Sequence, residues 1–133
     1  MTPETTTPRT IAPRVLVAED EAGLRQSLAI GLKARGYTVE TTTNGLFALE
    51  LLATKHFDVL VTDIVMPGMD GVALALQAGD LHPTLPIVMM TGYPDERQRA
   101  VNLKALIAAV LPKPFSLDLL DQTLRSVLES PAP

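Results

Sequence analysis

Several short apolar runs in this chain end in residues that could handle phosphate. Glu19 and Asp20 close RVLVAED, Asp63 closes DVLVTD, Thr91 closes PIVMMT, and Lys113 follows AAVLP. Three carboxylates held together repel one another and raise each other's pKa values. A hard divalent cation relieves that repulsion, and Mg²⁺ suits the task because it takes a few carboxylates and keeps several waters. Such a cation also neutralises an incoming phosphoryl group. Asp63 could then act as the nucleophile and become an aspartyl phosphate. Thr91 could hydrogen-bond one phosphoryl oxygen and Lys113 could pair with another. Positioning plus charge is most of what phosphoryl transfer asks of a protein.

That chemistry requires all four runs to deliver their last residues to one edge. The pattern predicts this. Arg14–Asp20, Tyr37–Thr41, Asp58–Thr62, Pro86–Met90 and Ala108–Leu111 read as short strands, and most are apolar on both faces, as in a parallel sheet. Helical segments fall between them. Glu21–Arg35 carries Leu24, Leu28 and Leu32 at a spacing of four, and Gly36 stands at its C′ position. Asn44 is placed to cap a helix reaching about Lys55, and Asp70 one running from Gly71 to about Ala78. In the latter, Val72, Leu74 and Leu76 alternate, so context rather than periodicity decides for helix. Pro94–Leu106 is a weakly periodic helix, and Ser116 caps a last one with Leu117, Leu120, Leu124, Val127 and Leu128 on one face. Alternating strands and helices specify an α/β fold with right-handed crossovers. In such sheets ligands bind beyond the carboxyl ends of the strands.

The bulk properties agree. The 133 residues suffice for one domain, with 47% hydrophobic and 20% charged residues. A net charge of −4 and aromatics at only 4% argue against nucleic acid as a partner. The absence of cysteine excludes disulfides and thiolate metal sites, and fits a reducing, cytoplasmic setting. No apolar run approaches a membrane span, and no signal peptide opens the chain. Residues 1–13 hold three prolines and five threonines and read as a flexible tail, leaving 14–130 as the domain. His56 and His82 stand apart from the acidic constellation and read as surface residues. The methionines read as core and loop filling.

Taken together, VLVAEDE, VTDIVMPGMDG, VMMTGY and PKPF in this order closely resemble the receiver domain of bacterial response regulators, the CheY-like family. The resemblance covers about residues 14–129. It implies a flavodoxin-like (βα)5 three-layer sandwich with a parallel five-stranded sheet of order 2-1-3-4-5. It implies phosphorylation of Asp63 by a histidine kinase or histidine phosphotransferase, not turnover as an enzyme. It implies Mg²⁺ held by Glu19, Asp20, Asp63 and the backbone carbonyl of Val65, and a cis Lys113–Pro114 peptide. Within the family, the segments are most similar to stand-alone alphaproteobacterial cell-cycle receivers of the CpdR type. That likeness implies a downstream protein partner, an AAA+ protease system being one candidate, and no output domain. Similar segments also occur in receivers of hybrid histidine kinases.

Three positions depart from the family pattern. Glu19-Asp20 replaces the usual Asp-Asp pair, Gly92 stands where Ala is common, and Val110 stands where an aromatic residue usually precedes the lysine by three. Val110 cannot rotate inward as that aromatic does, and Tyr93 is the nearby residue that could signal instead. Other readings fare worse. A haloacid-dehalogenase-type phosphatase needs an acid two residues after its nucleophile, where this chain has Val65. The GxxxxGK[ST] phosphate loop is absent. A flavin carrier would not present an acidic first loop to a phosphate. An interaction-only pseudo-receiver would not need Asp63, Thr91 and Lys113 together.

Overall fold

The computed structural model describes residues 12–92 and 106–129. The expected helix at Pro94–Leu106, apart from Leu106 itself, the role suggested for Tyr93 and nearly all of the expected tail lie outside the described residues. Five strands form one parallel sheet: β1 (Arg14–Ala18), β2 (Thr38–Thr42), β3 (Val59–Asp63), β4 (Ile87–Thr91) and β5 (Ala109–Pro112). Their order is β2-β1-β3-β4-β5, as the resemblance implies. The described helices are α1 (Ala22–Ala34), α2 (Gly45–Thr54), α3 (Gly71–Leu81) and α4 (Leu117–Glu129). None is long and apolar enough to cross a membrane.

The continuous apolar strands follow from burial on both faces. Leu16, Leu60 and Met89 pack with Ala48, Leu52, Leu74 and Ala78 of α2 and α3. Val15, Val17, Val61, Val88 and Met90 pack on the other side with Leu28, Leu32, Leu120 and Leu124 of α1 and α4. Strand alternation thus feeds two apolar layers at once. β2 is the polar exception because it is an edge strand, paired only to β1.

Caps lie where the side chains predict them. Asn44 accepts the Phe47 N–H at 3.0 Å, Asp70 the Ala73 N–H at 3.0 Å, and Ser116 the Leu119 N–H at 3.0 Å. Gly36 has φ +97°, a conformation few other residues adopt without strain. Several boundaries move, and β1 ends at Ala18, short of the acidic pair. α3 continues to Leu81 rather than ending near Ala78, because Gly79 stays in the helix and His82 closes it with an N–H bond to the Ala78 carbonyl. Within α3, Leu74 is buried and Leu76 exposed, which is helical spacing and not strand alternation. Most later strands start and end one residue beyond expectation, which makes Asp63 and Thr91 the final residues of β3 and β4.

Candidate functional site

Register alone brings the chemistry together. Ala18 of β1 pairs with Thr62 of β3, Asp63 pairs with Met90 of β4, and Thr91 pairs with Pro112 of β5. The residues at these ends therefore meet at the carboxyl edge of the sheet. Glu19 is pinned there by its own N–H, which donates to the Thr42 carbonyl at 3.0 Å. Lys113 is pinned by its N–H to the Thr91 carbonyl, at 2.6 Å. The Lys113–Pro114 peptide is cis, as expected.

At the centre, Lys113 Nζ donates to Asp63 Oδ2 at 2.9 Å and to Glu19 Oε1 at 3.0 Å. The other Asp63 oxygen accepts the Ile64 N–H at 2.9 Å, and the other Glu19 oxygen accepts the Glu21 N–H at 3.0 Å. Glu19 is 1% exposed, whereas Asp20 is exposed to solvent. Burial pushes the Glu19 pKa up, with the Glu21 N–H and Lys113 pulling against it. Burial alone would lower the Lys113 pKa, but its hydrogen bonds to Asp63 and Glu19 outweigh that and raise it, so the ammonium stays charged. Thr91 is 1% exposed, and its hydroxyl has no hydrogen-bond partner among the described residues.

Oxygens of Glu19, Asp20 and Asp63 all lie within 4.8 Å of one another. An all-oxygen set of this charge suits a hard divalent cation. Among the described residues, Lys113 is the one cation paired with these carboxylates. Val65, two residues beyond Asp63, lies on the loop at the same edge and is 52% exposed. Val110 is half-buried and packs against the α2–α3 layer. His56 and His82 lie away from the site, the first facing Asp58 and the second the Leu52 carbonyl.

Two contributors were not legible in the sequence. Arg25 Nη1 donates to the carbonyls of Glu19 and Asp20 at 3.0 and 3.2 Å, holding the acidic loop from behind. Its position one turn into α1 is the only signal, and a solvated arginine looks the same. Glu21 is more than a favourable acidic start to a helix. Its carboxylate caps α1 by accepting the N–H groups of Leu24 and Gly23, at 2.7 and 3.2 Å.

The chain matches the family model for the response regulator receiver domain over residues 15–125. It belongs to that family. Among curated proteins, it is 37% identical over 115 residues to the response regulator MprA of Mycobacterium ulcerans, covering 86% of this chain and 50% of that protein. It is 35% identical over 120 residues to MprA of Mycobacterium avium, covering 90% of this chain and 53% of that one. The receiver thus spans about half the length of the curated relatives it matches. Among solved structures, a CheY-like receiver domain protein of Methanospirillum hungatei superposes with a TM-score of 0.84 at 26% identity, over 90% of this chain and 95% of that one. TrrA of Thermotoga maritima, solved with Mg²⁺ and beryllofluoride, gives a TM-score of 0.79 at 28% identity, over 86% of this chain and 98% of that one. The receiver fold and family expected from the motifs therefore stand. The narrower likeness to alphaproteobacterial cell-cycle receivers does not gain support, since these relatives are MprA regulators of mycobacteria.

Proposed function

We propose that this receiver accepts a phosphoryl group on Asp63, donated by the phosphohistidine of a histidine kinase or a histidine phosphotransferase. One observation carries the reading: a buried Thr91 hydroxyl with no hydrogen-bond partner among the described residues, beside the Lys113 bridge to Asp63 and Glu19. A buried hydroxyl without a partner costs about 1–3 kcal/mol. Such a cost is characteristic of a group awaiting a ligand.

In the step itself, an Asp63 carboxylate oxygen attacks phosphorus. A P–O bond forms as the donor's P–N bond breaks, and the imidazole leaves with the bonding pair and takes up a proton. Lys113 then pairs with one phosphoryl oxygen and Thr91 donates to another. The carboxylates of Glu19, Asp20 and Asp63 and the carbonyl of Val65 would hold Mg²⁺, which neutralises charge on the phosphoryl oxygens. Both Glu19 oxygens already accept from the protein, but a carboxylate has lone pairs for a further partner. The site is charge-deficient for this purpose: after transfer Asp63 carries nearly two negative charges and new acceptor oxygens.

The output we propose is a phosphorylation-controlled contact with another protein. Val110 has no ring to turn inward, so the signal leaves by a route other than a threonine–aromatic exchange. Val65 is exposed and apolar and offers no group to orient a hydrolytic water. Slow self-dephosphorylation follows, and a phosphorylated lifetime of only seconds with Mg²⁺ would contradict it.

Incubation with Mg²⁺ and acetyl phosphate tests the reading. The wild type is expected to gain the mass of one phosphoryl group, and Asp63→Asn to gain none. A folded wild type that gains none favours a pseudo-receiver, which binds partners without phosphorylation.

A further inference from the structure

The loop between Asp63 and α3 is gripped at both ends by glycines, and neither grip is a matter of backbone conformation. A Cβ at Gly71 would lie 2.1 Å from the Asp63 carbonyl oxygen and 2.8 Å from Ile64 Cα. A Cβ at Gly45 would lie 2.6 Å from the Met69 carbonyl oxygen. The nearest obstacles are backbone atoms, which cannot swing aside as a flexible side chain can. Gly71 also donates its N–H to the Ile64 carbonyl at 2.8 Å. The peptide it presses on is the one whose Ile64 N–H holds Asp63 Oδ1. Whatever displaces that peptide displaces the carboxylate.

We infer that Gly71 and Gly45 are positioning residues for phosphorylation: by lacking side chains they let α3 and α2 close on the two ends of the 64–70 loop and so fix the Asp63 carboxylate. The inference rests on Asp63 being the acceptor, but its geometric part does not. Gly36 and Gly68 provide the contrast. Both have positive φ, +97° and +81°, with nothing within 4 Å of an added Cβ. A side chain there strains its own backbone without pushing on the acceptor.

The test compares Gly71→Ala, Gly45→Ala and Gly36→Ala in the full chain. Thermal unfolding reports stability, acetyl phosphate with Mg²⁺ reports the phosphorylation rate, and amide NMR reports the Ile64 and Lys113 resonances. Gly71→Ala is expected to slow phosphorylation by about tenfold to a hundredfold, since ångström-scale misplacement costs that much. It should also move the Ile64 and Lys113 resonances. Gly45→Ala should do the same more weakly, and it carries the test if Gly71→Ala does not fold. Gly36→Ala should lower the melting temperature and leave the rate and both resonances unchanged. A folded Gly71→Ala or Gly45→Ala with wild-type rate and wild-type resonances overturns the inference, as does a Gly36→Ala that slows phosphorylation equally. A wild type that is not phosphorylated at all refutes the proposed function instead, and the resonance shifts still decide whether the glycines position Asp63.

Discussion

The two ends of this sheet are built on opposite electrostatic plans. At the amino end, charges are matched. Arg14 Nη2 pairs with Glu40 at 3.1 Å, Lys55 Nζ meets the same carboxylate at 3.0 Å, and Asp58 accepts the Arg14 backbone N–H at 2.7 Å. The Arg14 guanidinium also stands 5.4 Å over the Phe57 ring, although its Nε has no hydrogen-bond partner among the described residues. At the carboxyl end, Glu19, Asp20 and Asp63 cluster around one ammonium, which pairs with Glu19 and Asp63, and a buried hydroxyl goes unpaired among the described residues. At the amino end the charges balance without a ligand. The carboxyl end is stable but unbalanced, in the direction that a cation and a phosphoryl group would correct. A charge cluster therefore indicates function by what it leaves unsatisfied, more than by how many charges it gathers.

Removing Lys113 should expose this contrast most strongly. Among the described residues it is the one cation paired with Asp63 and Glu19. Loss of a donor aimed at transition-state charge costs a hundredfold or more. Lys113→Ala is therefore expected to slow phosphorylation by acetyl phosphate by at least about a hundredfold, read from initial rates of intact-mass gain.

Thr91 separates the resting protein from its beryllofluoride complex. Its hydroxyl makes no bond among the described residues, so Thr91→Val should leave stability unchanged or raise it by up to about 1 kcal/mol. In the beryllofluoride complex the same substitution should weaken affinity roughly tenfold, the worth of a hydrogen bond to a charged group. A matching loss of stability in the resting protein would show that the hydroxyl already has a structural role.

Arg14→Ala probes the balanced end. Its ion pair is about a third exposed and screened by solvent, so the combined loss with the Phe57 contact should be roughly 1 kcal/mol of stability. Phosphorylation should be unchanged. A coupled loss of activity would mean that the two ends are not independent.

The smallest effect concerns Tyr37, just before β2 at the same end. Burial and the Asp121 carboxylate, which accepts its hydroxyl at 2.8 Å, push its pKa up to about 12. The native state thus holds this proton more tightly than the unfolded chain, whose tyrosine ionises near 10. The contribution is full below pH 10 and is lost as pH rises from there through about 12. Denaturation midpoints across that window should fall in the wild type and fall less in Tyr37→Phe.

Much of this was legible in the sequence because it depends on period and position. Apolar runs buried on both faces force a parallel sheet, and the parallel sheet forces Glu19, Asp63, Thr91 and Lys113 to one edge. What was hidden depends on three-dimensional contact. Nothing in the spacing says that Lys113 bridges Glu19 to Asp63, or that Glu19 is buried while Asp20 is not. Arg25 reads as a surface arginine until its guanidinium is seen beneath the acidic loop. Gly71 reads as a helix start after Asp70, and only the packed backbone shows that it has no room for a methyl group. The helix expected to end near Ala78 runs on to Leu81, and the Leu106 side chain lies where a Cβ at Gly79 would point.

Fluorine NMR of beryllofluoride binding, with and without Mg²⁺, tests the central claim most directly. The account predicts saturable one-to-one binding by the wild type that requires Mg²⁺ and disappears in Asp63→Asn. Absence of binding by the folded wild type would contradict it. So would binding that ignores Mg²⁺ or persists in Asp63→Asn.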